Sequence, residues 1–225
     1  MEIIAPLING LISQDGTGAY QLLLKEAALR SNIKIVEKIY PQKRAISNFF
    51  NKKQSCIYAY TDIAEQKMGK QNIKASFPLS VFKQYIFTKK GTKPFTEISQ
   101  LKGLTVAGTL GDEDQDWFSS FKEAQINYLL LSHLDLNIKM LRSNRVDAVV
   151  SFLPDFSKFI SELVYAVDQP LFTAFDRITC HNSLESAIFI QKISASLKVM
   201  KLDGTTKRIL GNMYLEFDNF DASLK

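Results

Sequence analysis

The chain has 225 residues, 46% of them hydrophobic and 23% charged, with a formal net charge of +5 and a pI near 9.0. That is ample apolar material for one large domain or two lobes of roughly 100 residues each, and it excludes a disordered chain. Lysines are scattered and meet only in pairs such as Lys52-Lys53 and Lys89-Lys90, so the clustered cationic stripe that a nucleic acid needs is absent.

In chain order, Glu2 to Ala5 reads as a strand and Asp15-Gly16-Thr17-Gly18 as a strong turn into a helix. Tyr20, Leu23, Leu24, Ala27 and Ala28 space as one apolar face of that helix, at about 3.6 residues per turn. Ile33 to Ile39 alternates as a strand ending at Tyr40-Pro41, Arg44 to Asn51 is a second helix, and Cys56 to Tyr60 a third strand. This β-α-β-α-β series is the start of a doubly wound sheet. Ser76 to Ser80 is extended around Pro78, Tyr85 to Thr88 is a strand, and Lys89 to Ser99 reads as a linker.

The linker leads to Leu101-Lys102-Gly103, a turn feeding the short β-branched strand Leu104 to Ala107. Helical spacing over Asp116 to Ala124 and Leu136 to Leu141 then returns the chain to Asn144-Arg145-Val146-Asp147-Ala148-Val149-Val150, a parallel strand. Between strand and helix lies Gly108-Thr109-Leu110-Gly111, whose small residues open backbone amides onto the helix, a place where an open α/β sheet holds ligands. A helix over Asp155 to Leu163 and a strand over Val164 to Val167 complete that unit. Beyond it come a strand at Ile178-Thr179-Cys180, a long helix from Ser183 to Met200 and a final helix from Thr206 to Tyr214. A chain that leaves one α/β lobe, builds a second and returns has two crossing segments, which make a hinge.

Cys56 and Cys180 exclude a disulfide framework and a zinc site built on thiolates alone. They are expected as two buried free thiols, with a single bridge open to them if their strands are neighbours. His133 and His181 lack metal-ligand spacing and read as surface or loop residues. No apolar run reaches the length of a membrane span, and Met1-Glu2 leads straight into the first strand. The protein is therefore either cytosolic or has lost a targeting segment.

Six segments in this order resemble the type II periplasmic substrate-binding proteins, solute-binding family 3, usually associated with amino-acid ABC importers. They are Gly18-Ala19-Tyr20 with Leu23-Leu24, Pro41-Gln42-Lys43-Arg44-Ala45, Ser76-Phe77-Pro78-Leu79, Leu101-Lys102-Gly103 with Val106 and Gly111, Arg145-Val146-Asp147-Ala148-Val149-Val150 with Asn144 in place of a glycine, and Leu202-Asp203-Gly204-Thr205 with Ile209-Leu210. The resemblance spans nearly the whole chain and marks it as a divergent member. It implies an α/β fold of two Rossmann-like lobes joined by a two-segment hinge (periplasmic binding protein-like II). Lobe 1 would be residues 1–88 plus 172–225, and lobe 2 residues 89–171.

Departures from the family narrow the ligand. The threonine-x-x-arginine that clamps an α-carboxylate keeps its threonine in Tyr60-Thr61-Asp62-Ile63-Ala64 but lacks the arginine. The aspartate that pairs with the α-amino group falls on Phe152, with Asp155 three residues later. Both ends of the usual grip are missing, which demotes an ordinary α-amino acid. Asp112, Glu113, Asp114 and Asp116 crowd the helix start ahead of Trp117; they either complement the helix dipole or, through Asp112 or Glu113, recognise a cation beside aromatic faces. Arg44 is open to two roles, a carboxylate anchor or a pairing across its own helix, and Tyr20 to cleft or core; Phe77 and Phe82 read as core.

The expected protein is thus a periplasmic, monomeric binding protein, its signal peptide removed, that captures a small polar or aromatic molecule by hinge closure for an ABC permease. The expected ligand residues are Tyr20, Arg44, Tyr60, Thr61, Ser76, Thr109, Gly111, Asp112, Phe152 and Asp155. A ligand-sensing module of a signalling system is the alternative. A dehydratase-like enzyme is less favoured, because no nucleophile–base pair, phosphate cradle or metal cluster stands out. No cofactor, metal or nucleic acid is expected.

Overall fold

The structure is a computed structural model that describes residues 1–8, 10–52, 55–110 and 118–217. It divides into two compact units, Met1–Val81 with Phe175–Lys225, and Phe82–Ala174, so the chain crosses between them twice. Both crossings fall inside strands, at Val81/Phe82 and Ala174/Phe175, where the turn signals had suggested residues 88 and 172.

In unit 1, β1 (Glu2–Pro6), α1 (Ala19–Arg30), β2 (Val36–Tyr40), α2 (Gln42–Asn51), β3 (Cys56–Tyr58), α3 (Thr61–Met68) and β4 (Ile73–Ala75) follow in order. After both crossings the chain adds β11 (Ile178–His181), α6 (Leu184–Leu202) and α7 (Thr205–Leu210). The sheet order is β2-β1-β3-β11-β4, with β1 parallel to both neighbours and β11 antiparallel to both of its own. Alternation along β1 and β3 separates two cores. Ile3, Ala5, Cys56 and Tyr58 face α1, α6 and α7, whereas Ile4 and Ile57 face Ala45 and Phe49 of α2 and Ala64 of α3. The five α1 residues picked out by their spacing are all buried.

Several of the shared motifs have a local physical cause. Gly18 lies against the backbone of Leu11 and Ile12, where an added Cβ would sit 2.4 Å from the Leu11 carbonyl oxygen. Asp203 accepts from the Thr205 amide (2.9 Å) and pairs with Arg30 (2.6 Å), which holds its carboxyl down at about 2 and anchors the start of α7 on α1. Asp147 accepts from the Thr105 amide (2.8 Å), tying two strand starts together. Asn144 occupies the left-handed region (φ 56°), which explains why an asparagine can replace glycine there.

Unit 2 holds a sheet ordered β10 (Phe172–Asp176), β5 (Ser80–Lys89), β8 (Ala148–Leu153), β6 (Thr105–Thr109), β7 (Asn127–Leu131), with β9 (Leu163–Val164) pairing β5. The strands β6 and β8 are parallel, as are β6 and β7, while β5 runs antiparallel to β8. Helices α4 (Phe118–Glu123) and α5 (Leu134–Arg142) connect them. Ile86, Val106, Ala148 and Val150 pack with Phe121 of α4.

The structure corrects parts of the sequence reading. The segment between α4 and α5 is a strand, β7, whose apolar run had no separate assignment. Residues 157–162 form 3-10 turns instead of an α-helix, and the following strand is two residues long. The last helix stops at Leu210, because Gly211 turns the chain at positive φ. Cys56 and Cys180 are not free thiols: they stand opposite each other on β3 and β11 and form a fully buried disulfide. His181 is a half-buried strand residue whose Nε2 lies 2.7 Å from the Phe49 carbonyl oxygen, its ring against that of Phe49.

Candidate functional site

In an open α/β sheet, ligands lie beyond the C-terminal ends of the parallel strands. In unit 1 that is where β3 passes into α3. Ala59 and Tyr60 both take left-handed backbone (φ 58° and 55°), a conformation that costs an L-residue about 1–2 kcal/mol. Such paired strain at a strand end is a recurrent mark of a functional corner. The corner leaves α3 with its first-turn amides beyond the sheet. The phenol of Tyr60 accepts from Gln42 Nε2 at the start of α2. Thr61 is buried, and its hydroxyl shares a 2.7 Å hydrogen bond with that of Thr179.

Ser76 is fully buried; its hydroxyl donates to the Phe77 carbonyl and accepts from the Ile178 amide, holding the end of β4 to β11. Its own carbonyl accepts from Arg177 Nη1 at 2.7 Å. Arg177 is a residue the sequence reading missed. Its guanidinium lies half-buried over the Phe175 ring, its pKa lowered by burial and held up in part by the charges of Glu65 and Asp62. Glu65 itself pairs with Lys70 (3.4 Å). The Ala59 amide donates to the Arg177 carbonyl (2.8 Å), so the strained corner and the arginine share one piece of backbone. Asp62 is exposed, its carboxyl pushed up by partial desolvation and by Glu65. The only sequence signal for Arg177 was a charge next to an apolar strand.

Tyr20 is fully buried in the core, and its hydroxyl donates to Asp176 at 2.6 Å, immediately before Arg177. Arg44 stands apart from this cluster. It is exposed on α2, over the Tyr40 ring, and lines a groove of about 360 Å³ with Glu2, Asn48, Asn51 and Lys52. No carboxylate is paired with it among the described residues, and the groove runs toward the N-terminal end of β1, away from the strand ends above.

In unit 2 the corresponding strand ends are those of β6 and β8. Thr109 closes β6 and accepts from Asn137 Nδ2 of α5 (3.2 Å). Gly111 and Asp112, together with the other acids of that loop and Trp117, lie outside the described residues. Phe152 is half-buried near the end of β8, its ring 5.4 Å from that of Phe82. The chain then passes through the cis Leu153–Pro154 peptide to Asp155. Burial alone pushes the Asp155 carboxyl up to about 6, and no hydrogen bond or ion pair reaches it from the described residues. Asp155 is half-buried, so its carboxylate is partly withdrawn from water, and a cationic group placed there would relieve that cost.

The predicted residues therefore gather in two places. Tyr60, Thr61 and Ser76 surround the start of α3 and Arg177; Thr109, Phe152 and Asp155 mark the strand ends of unit 2. Among the described residues, no group of three or more histidines, cysteines, aspartates or glutamates could hold a metal ion, and no helix is long and apolar enough to cross a membrane.

No protein-family model matches the chain, and no curated protein sequence matches it. Solved structures do. The GluR0 ligand-binding core from Nostoc punctiforme in complex with L-glutamate is similar with a TM-score of 0.68 at 18% identity, over 95% of this chain and 99% of that one. The L-cystine solute receptor of Neisseria gonorrhoeae, in its unliganded open conformation, is similar with a TM-score of 0.69 at 14% identity, over 95% and 91%. The ancestral amino-acid-binding protein AncCDT-1, a precursor of cyclohexadienyl dehydratase, is similar with a TM-score of 0.68 at 16% identity, over 96% and 95%. With these likenesses and its two α/β units crossed twice by the chain, the protein has the periplasmic binding protein-like II fold.

Proposed function

We propose that this chain is an extracytoplasmic solute-binding protein that captures a small polar or aromatic molecule between its two lobes by hinge closure, for delivery to an ABC importer. The observation that carries the reading is Asp155, a half-buried carboxylate without a hydrogen-bond or ion-pair partner among the described residues, just past the end of a parallel strand. It stands ready for an ammonium or guanidinium group, three residues after the place where the family's own aspartate is replaced by Phe152. Arg177 offers the complementary charge in unit 1, with Tyr60 and Thr61 beside it at the strained corner. Structural neighbours named for glutamate and cystine binding support small-solute capture on this fold. The Cys56–Cys180 bridge supports an oxidising compartment, since the cytosol keeps such thiols reduced.

Closure follows if the solute binds the closed state better than the open one, because a ligand shifts a two-state equilibrium only by its differential affinity. A thermal-shift screen of cationic and zwitterionic metabolites tests this, since a ligand bound only by the native state raises its apparent stability. A hit should compact the protein in small-angle scattering, and Asp155→Asn should weaken it roughly tenfold or more. Hits that do not compact the protein remove the hinge mechanism; hits unaffected by Asp155→Asn remove that anchor.

A second reading rests on the same carboxyl. A group titrating near 6 can exchange protons at neutral pH, and one structural neighbour is a dehydratase precursor. Turnover of cyclohexadienyl acids by the purified protein, abolished in Asp155→Asn, would establish this reading over capture.

A further inference from the structure

Gln84 lies on β5, 1% exposed, directly opposite Phe152 on β8. Residues facing each other across an antiparallel pair project from the same side of the sheet, so Gln84 shares its face with Phe152. Phe82, two positions earlier on β5, joins that face by the period of a strand. The rings of Phe82 and Phe152 are 5.4 Å apart, and Phe172 of β10 stands 6.1 Å from Phe82. All three phenylalanines are half-buried. Further along, the face continues as Ile86 and Val150, both buried in the apolar core.

Within this apolar setting the Gln84 side-chain nitrogen is buried without a hydrogen-bond partner among the described residues. Its backbone carbonyl is accounted for, accepting from the Leu171 amide (2.8 Å), so the unmet demand belongs to the side chain. A buried amide left in this state costs about 1–3 kcal/mol. A bridging water is a poor answer, because water needs two to four polar partners and the neighbours on this face are phenylalanine, isoleucine and valine. A ligand group that presents an acceptor beside a donor, on a flat apolar body, meets both features together: the carboxamide pairs with its polar edge and the aromatic rings cover its faces.

We infer that Gln84, with Phe82, Phe152 and Phe172, forms a subsite for a planar amide or lactam group of the captured molecule. The inference rests on the solute-capture reading and names a chemical class for its aromatic end, separate from the charge at Asp155. A carboxamide donor–acceptor edge discriminates such a group from a hydrocarbon of the same shape, because the hydrocarbon leaves the buried amide unpaired.

The test uses benzamide as the probe and toluene as its hydrocarbon counterpart. In the 15N-labelled full chain, benzamide should move the Gln84 side-chain amide resonances, and toluene should not. Gln84→Leu should weaken benzamide roughly tenfold to a hundredfold while leaving toluene unchanged. It should also raise Tm by roughly 3–6 °C, since an unpaired amide is replaced by a hydrocarbon of similar size. Should Gln84→Leu fail to fold, Gln84→Met, which keeps an unbranched side chain of similar length and loses the donor, replaces it in the binding measurement. Benzamide that does not bind, or binds with Gln84 resonances unmoved, overturns the subsite; so does benzamide affinity unchanged in the Gln84 variant. Asp155→Asn separates the two readings: the neutral probe should bind it normally, so loss of the cationic solute alone concerns Asp155 and loss of benzamide in the Gln84 variants alone concerns this subsite.

Discussion

The Cys56–Cys180 bridge closes a loop across 124 residues of sequence, from the third strand of unit 1 through the whole of unit 2 and back. In the chain-entropy treatment a loop of that length removes about 5 kcal/mol of freedom from the unfolded state at 25 °C. Both sulfurs are fully buried, so reductant acts only once the protein has opened. The clean comparison is the same chain refolded with and without excess reductant, because no core atom changes. Chemical unfolding should show the oxidised protein more stable by about 3–5 kcal/mol, with Tm higher by roughly 6–20 °C. Thiol titration in strong denaturant should find no free thiol in protein recovered from an oxidising compartment. Two titratable thiols there, or a stability difference under about 1 kcal/mol, would refute both the bridge and the compartment argument built on it.

Gly18→Ala should cost about 3 kcal/mol, because the new methyl meets the Leu11 and Ile12 backbone at 2.4–2.7 Å; a loss under about 1 kcal/mol in urea would mean that the loop yields freely. Asp155, raised to about 6 from an ordinary 3.8, keeps a proton in the native state that the unfolded chain has already released. Stability should therefore fall by up to about 3 kcal/mol as pH rises from about 4 to about 7, and Asp155→Asn should flatten that slope; parallel pH profiles would contradict the assignment. Arg177→Met should weaken carboxylate-bearing solutes tenfold or more while costing about 1–2 kcal/mol for the lost Ser76 contact, and unchanged affinity would return Arg177 to a purely structural role.

What was legible in the sequence was whatever a local rule could determine. Short apolar, β-branched runs located β1, β6 and β8, and helical amphipathic spacing located α1 and α6. The shared motifs proved to be backbone devices, such as the close approach at Gly18, the Asp203 cap and the left-handed turn at Asn144. The strands that escaped were β4, β7 and β10. At three to five residues each, their identity comes from pairing with strands far away in sequence, and a local pattern carries little of that information. The disulfide escaped for the same reason. Only the antiparallel return of β11 beside β3, after all of unit 2, brings the two cysteines opposite each other.

Charge placement was harder still to read, and the reason bears on function. A motif comparison asks whether the expected residue occupies the expected position, and by that standard this chain has lost both ends of an amino-acid grip. Desolvation asks a different question: which charges has the fold drawn partly out of water without a counter-charge in contact? The answer is Asp155, displaced by three residues and a proline from the motif position, and Arg177, which comes from the returning segment instead of α3. Neither position follows from a spacing rule, since each depends on where a strand end stops and what packs over it. Gln84 belongs to the same set, a polar side chain inside an apolar strand whose pattern reads as core. Burying such groups opposes folding, and on the proposed reading a ligand that satisfies them offsets that cost.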